Sequence, residues 1–312
     1  MTTRLLVHRS DGLWVVDDGW KSLCRTSIIG FCLSRDGSRV AVLTPLGVLT
    51  GIDLIDVETG RRREIGRLRG RVLDPQWHPG GKRLGAISQS DDGDSKIVVL
   101  DVDTGQTTTL PSFPERYNLG QLEWSPDGQM LAVEGQPLDH LRGMSVFLVT
   151  PNSDSPRLIA PAGSPEPKAT CGRFSPDGRT LAYSYTDHSV LESEIWVAPL
   201  KGGRPRRVCA GGYDDPRWSL DGRQLLIAAH LSPCQARLGV VDVQSGDVSL
   251  ISDAMGQLKP VLLTGSEALF IRQDCADQDE IATSSGQLLR WNFTTDDETM
   301  VSEDVLHAVA VG

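Results

Sequence analysis

The chain has only six cysteines in 312 residues, and they are scattered: Cys24, Cys32, Cys171, Cys209, Cys234 and Cys275. No C-x-x-C pair or other metal-ligand spacing occurs, which excludes a zinc ribbon. Reduced thiols, serving as small buried hydrophobes, are the expectation. No apolar run reaches membrane-spanning length. The N-terminal MTTRLLVHRSDGLW lacks the apolar core and small-residue cleavage site of a secretory leader, so a cytoplasmic location is expected. Lysine is scarce, six against 25 arginines, which suggests a GC-rich bacterial source. Net charge is −10 with a pI near 5.1, and this argues against nucleic acid as a partner. Nucleophile triads, phosphate-cradling glycine loops and dinucleotide fingerprints are absent, as is a GxSxG elbow.

What the chain does contain is a repeat. LEWSPDGQMLAV at 122–133 is its clearest copy, with relatives around Asp36–Gly37, Gly80–Gly81, Asp177–Gly178 and Asp221–Gly222. A degraded copy, PVLLTGSEALFI, occupies 260–271. The turn glycines Gly37, Gly81, Gly128, Gly178 and Gly222 lie 44, 47, 50 and 44 residues apart. A period in the forties with several short strands per unit is the signature of a propeller blade. Each repeat continues into a run rich in valine, isoleucine and leucine, as in KIVVLDVDTGQTTTL, which ends at an Asp-x-x-x-Gly turn. A more polar strand follows.

The expected fold is therefore all-β, a seven-bladed propeller of four-stranded antiparallel blades forming one domain. Complete blades are expected at 30–66, 72–111, 119–160, 170–209, 214–252 and 258–303. Residues 1–27 lack the first strand of a blade, and VLHAVAVG at 305–312 supplies it, closing the ring without an open edge. A six-bladed ring is the alternative if the weak last unit merges with the ends. Ser-Pro-Asp-Gly reads as turn chemistry: proline sets φ, aspartate accepts from backbone amides, glycine tolerates φ > 0. Trp77, Trp124, Phe174 and Trp218 occupy equivalent positions and are expected to wedge between blades.

The pattern WSPDG, KxLAY and IWVxDxxGG, seen best in GRFSPDGRTLAYS and SEIWVAPLKGGRPRRV between 172 and 208, resembles the TolB-type β-propeller. That family is related to the propellers of prolyl oligopeptidases. The resemblance covers essentially the whole chain and implies architecture rather than activity. TolB proper is periplasmic with an additional N-terminal domain; neither a leader nor that domain is visible in this sequence. No α/β-hydrolase region is visible either.

Loops joining the second and third strands of each blade share a face with the blade-to-blade connections. They are long and varied, and function is expected there. Arg116, Tyr117, Asp139, Asp187, Tyr213, Asp214 and Asp215 are the candidate ligand-binding residues. Carboxylates are dense on this face, which suits a basic peptide, a cationic small molecule or a divalent cation; the expected partner there is a peptide, a protein or a cationic small molecule. His140, His188 and His230 fall in three successive blades on that face, and three imidazoles with neighbouring carboxylates form a candidate divalent-metal site. Metal-dependent oligogalacturonate lyases resemble this in outline, though none of their motifs is matched. The sequence thus points to a binding or interaction module. The alternative is a metal-assisted lyase, hydrolase or cyclase at the channel mouth. His78 replaces the serine of a turn and is assigned to turn chemistry.

Overall fold

The computed structural model describes residues 4–110, 113, 115–138, 143–151, 155–159, 168–187, 190–232, 235–251, 256–273 and 285–311. For Lys168, Cys171, Asp187, Val190, Leu191 and Val311 it describes the backbone alone. All regular structure among these residues is antiparallel β.

Seven four-stranded units follow one another. The first contains Gly30–Leu33, Arg39–Leu46, Leu49–Asp56 and Arg62–Arg69. The second contains Arg71–Trp77, Arg83–Gln89, Ser95–Asp101 and Thr107–Thr109. The third to fifth begin with the inner strands Tyr117–Trp124, Lys168–Phe174 and Tyr213–Trp218, and repeat the same order. The sixth starts at Gln257–Leu263 and ends in the first part of a long strand, Asp297–Val311. That strand then crosses into the seventh unit and becomes its inner strand. There it pairs with Arg4–Arg9 in the register Arg4↔Val311 to His8↔His307. The C-terminus therefore completes a blade begun by the N-terminus, and the count is seven rather than six.

Packing confirms the closure. Among the described residues the buried apolar side chains form seven clusters, each straddling two neighbouring units. Leu5, Val7 and Val305 of the seventh unit pack on Leu262 and Ile271 of the sixth. Leu6 and Leu13 of the same unit pack on Phe31 and Val40 of the first. Each sheet is apolar on both faces because it is a wall between two cores, which is why the middle strands read as unbroken hydrophobic runs.

The repeated turn is a hydrogen-bonded device. Ser125 Oγ donates to Asp127 Oδ1 at 2.6 Å and accepts from the Met130 N–H at 2.9 Å. Ser34, Ser175 and Ser219 do the same with Asp36, Asp177 and Asp221. These hydroxyl bonds hold the four carboxyls below the usual range, Asp36 at about 2. His78 fills the serine position: its Nδ1 accepts from the Gly80 N–H at 2.9 Å, and Nε2 lies 3.2 Å from the Gly128 carbonyl of the next unit. Trp77, Trp124 and Phe174 are buried between units and Trp218 is half-buried there. Trp77 Nε1 donates to the Cys32 carbonyl at 3.2 Å and Trp218 Nε1 to the Arg173 carbonyl at 3.0 Å, tying adjacent inner strands.

Candidate functional site

On the face opposite the Ser-Pro-Asp-Gly turns, a cleft of about 730 Å³ opens between the first and second units. Its parts are fixed locally. The hairpin Arg39–Leu46 to Leu49–Asp56 reverses at Gly47, leaving Val48 77% exposed at the tip. The connector between the units turns at Gly70, whose φ of 85° favours glycine. A Cβ there would lie 2.6 Å from the Gln89 carbonyl. The Gly70 N–H donates to the Val48 carbonyl at 2.9 Å, and the Gly70 carbonyl accepts from Thr50 Oγ1 at 2.9 Å. Thr50 is buried and also accepts from the Val72 N–H. This knot holds Arg69 and Arg71, on either side of Gly70, at the cleft wall.

The opposite wall is the 90–96 turn. Ser90 Oγ donates to Asp92 Oδ1 at 2.6 Å, and Asp92 forms an ion pair with Arg116. The serine hydroxyl, then the Arg116 guanidinium, lower the Asp92 pKa. The braced turn presents Asp91, Asp94 and Lys96 to the cleft. The side chains of Arg69, Arg71 and Lys96 make no ion pair or hydrogen bond among the described residues.

A second constellation lies along the inner strands, beside the axis. The Leu122 N–H donates to Asp74 Oδ2 at 2.5 Å and Gln76 Nε2 to Asp74 Oδ1 at 3.2 Å. Burial raises the Asp74 pKa. Glu123 Oε1 accepts from the Phe174 N–H at 3.3 Å, and Glu123 Oε2 lies 3.6 Å from Arg173 Nη1. Water reaches about a third of the Glu123 side chain (30% exposed), yet protein crowds it, and desolvation raises its pKa against the pull of Arg173 and Arg217. Arg217 Nη2 pairs with Asp215 Oδ1 at 3.3 Å. Lys259 stands nearby with its pKa lowered by desolvation. His307, on the closing strand, packs edge-on against Phe31. Burial first, then Arg217 and Lys259, push its pKa down to about 4.

Asp74 and Asp215 lie within irregular stretches of the inner strands, and Glu123, Arg173 and Arg217 at or just beyond the ends of such stretches. The pairing shifts between Leu73 and Gln76, Leu119 and Leu122, Thr170 and Arg173, and Asp214 and Arg217. Asp74 and Asp215 take φ values of 45° and 47° there, an uncommon conformation for residues with a side chain. Perturbed ionisable groups mark functional sites and structural ion-pair networks alike. Here each described carboxylate of the cluster has a hydrogen-bond or ionic partner on the same or an adjacent inner strand, so the cluster bonds blade to blade.

The expected site residues part company. Asp215 joins the axial cluster, and Asp214 accepts from the Asp215 N–H at 2.7 Å. Tyr117 is buried, edge-on to Phe147 and beside Phe113. Tyr213 packs at the rim of the core between the fourth and fifth units, where burial raises its pKa. Arg116 braces the 90–96 turn. His230 was expected in a loop but lies in the strand Gln224–Ser232, its N–H donating to the Gly212 carbonyl at 2.8 Å. The strand continues because Ala236 pairs with His230 across a hairpin longer than the sequence suggests. Asp139, His140 and His188 lie outside the described residues, as does the Asp187 side chain. Among the described residues no three His, Cys, Asp or Glu groups gather at metal-binding distances. The axial pairing and the cleft were both missed from sequence. The residue before each aromatic (Gln76, Glu123, Arg173, Arg217) is the signal that aligned repeats offer for the former.

No protein-family model matches the chain. It is 27% identical over 165 residues to an uncharacterized peptidase, YuxL, of Bacillus subtilis, a match covering 52% of this chain and 22% of that protein. The match thus takes in only about a fifth of that relative's length. The structure superposes on TolB from Acinetobacter baumannii with a TM-score of 0.60, 14% identity, and coverage of 100% of this chain and 83% of that one. It superposes on a prolyl endopeptidase with a TM-score of 0.69, 15% identity, and coverage of 99% of this chain and 50% of the other. The chain carries the fold of the TolB-type β-propeller, the same fold as the propeller domains of prolyl endopeptidases.

Proposed function

We propose that this propeller is a recognition module that holds a peptide segment in the cleft between its first and second units. The cleft itself carries the reading. Its volume of about 730 Å³ lies within the range typical of ligand sites, and it sits on the loop-bearing face of a rigid ring. It combines exposed apolar groups, Ile29 and Val48, with convergent charges on backbone that is hydrogen-bonded in place. The likeness to propellers of peptidases makes a peptide the natural ligand class.

The test is a peptide-array screen with the purified chain and two variants. I29E/V48E alters the cleft, and L220E alters an exposed turn on the opposite face. Peptides captured by the wild type should be retained by L220E and lost by I29E/V48E. Equal capture by all three proteins would place recognition elsewhere and overturn the reading.

A further inference from the structure

The cleft has a charge bias that the whole chain does not share. Between Arg61 and Arg71 there are six arginines and a single glutamate, in a protein of net charge −10. Charged side chains commonly guard an outer edge strand, and part of this run does so. Arg62 pairs with Asp53 at 2.7 Å, Arg63 donates to the Val102 carbonyl, and Arg67 pairs with Glu64. Arg69 and Arg71 are different. They flank the braced Gly70, face the cleft, and are joined there by Lys96 from the opposite wall. None of the three side chains makes an ion pair or hydrogen bond among the described residues.

Three cations free of ion pairs among the described residues, outnumbering the two carboxylates Asp91 and Asp94 at the same cleft and set beside an apolar shelf, are what an anionic, partly apolar chain needs. We infer that the cleft takes an acidic peptide segment, with side-chain carboxylates on Arg69, Arg71 and Lys96 and an apolar side chain against Ile29 and Val48. The inference rests on the peptide-binding reading above and adds the ligand's chemistry. Arginine suits this task because its planar fork meets a carboxylate with two parallel hydrogen bonds. Asp91 and Asp94, also at the cleft wall, are positioned to accept backbone N–H groups of the bound segment and to repel ligands that place a carboxylate at the wrong end.

The experiment is fluorescence anisotropy with three labelled, C-terminally amidated peptides of about nine residues, an extended length of roughly 30 Å. They alternate leucine with aspartate, serine or lysine. The aspartate peptide should bind about tenfold or more tightly than the serine peptide, and its affinity should fall as salt rises from about 50 to about 200 mM. R69E/R71E and the milder R69Q/R71Q should weaken it in that order, and K96E should weaken it too. R179E, on the opposite face, should not. Circular dichroism and thermal midpoints show that each variant is folded; the Gln pair carries the test if the Glu pair does not fold. Two results overturn the inference while leaving the cleft as a peptide site: tighter binding of the serine or lysine peptide that I29E/V48E abolishes, or aspartate-peptide binding that ignores the Arg69 and Arg71 changes. Absence of binding by all three peptides at millimolar concentration overturns this inference alone if the array has captured cleft-dependent peptides, and both readings if it has not.

Discussion

The axial ion pair between Arg173 and Glu123 gives a prediction whose size and pH dependence both follow from the structure. At 3.6 Å, and with an effective dielectric near 20, the gross attraction is about 4–5 kcal/mol. Solvent at the Glu123 side chain, 30% exposed, reduces the net effect to roughly 2–3 kcal/mol. Arg173→Met removes the cation and leaves Glu123 beside Asp74, whose charge already disfavours its ionised form. Glu123 is then an acid whose folded pKa, raised by desolvation, rises further. For such a group the unfolded chain ionises first, so the folded state loses stability as pH climbs above the unfolded value near 4.5. The variant should therefore be destabilised by about 2–3 kcal/mol at pH 8 and by clearly less at pH 5. Adding Glu123→Gln should recover most of the loss, since no uncompensated carboxylate remains. Urea denaturation of wild type, both single variants and the double variant at the two pH values is the assay. An Arg173→Met protein as stable as wild type at pH 8, or one whose deficit does not change with pH, refutes the reasoning.

Three further expectations follow from the same geometry. His307, neutral in the fold with a pKa of about 4 against an ordinary 6.5, makes the unfolded chain the better proton binder between those values; stability should rise by up to roughly 3 kcal/mol across that window, and His307→Gln should flatten the rise in pH-dependent denaturation curves. Gly128→Ala combines a φ of 69° with a Cβ placed 2.3 Å from His78 Nε2, so it should cost about 2 kcal/mol or more, and His78→Ser in the same chain should return part of it by thermal melting. Deleting residues 305–312 uncovers the Arg4–Arg9 edge and the cluster of Leu5, Val7 and Ile271; the thermal midpoint should drop by about 2–4 °C for each kcal/mol lost, and an unchanged midpoint would contradict closure by the last strand.

Much of the fold is legible in the sequence because its determinants are local. A serine hydroxyl bridging Asp127 and Met130 needs residues only five apart, so Ser-Pro-Asp-Gly marks the turn wherever it appears. Trp77 wedges between units because that position is followed by the turn and preceded by the inner strand. The site is less legible. Tyr117 has the look of an exposed loop aromatic but packs against Phe147, since the inner strand begins earlier than the turn residues suggest. His230 shows the converse error: the segment 229–237 reads as a loop, yet His230 pairs across with Ala236 and the strand runs on to Ser232.

The sequence by itself determined the repeat and named the strand that closes a seventh unit, with six units as the alternative, because period, turn chemistry and hydrophobic runs are properties of neighbouring residues; the pairing of that strand with Arg4–Arg9 decided for seven. Only the tertiary structure decided which charges meet. Glu123 and Arg173 lie in different units, fifty positions apart, and are brought together because the inner strands Tyr117–Trp124 and Lys168–Phe174 lie side by side. Arg69, Arg71 and Lys96 converge because a connector knotted through Gly70 and Thr50 faces a turn braced by Asp92. Charge pairing depends on distance in space, and in a ring of repeats that distance is set by how each blade stacks on the next.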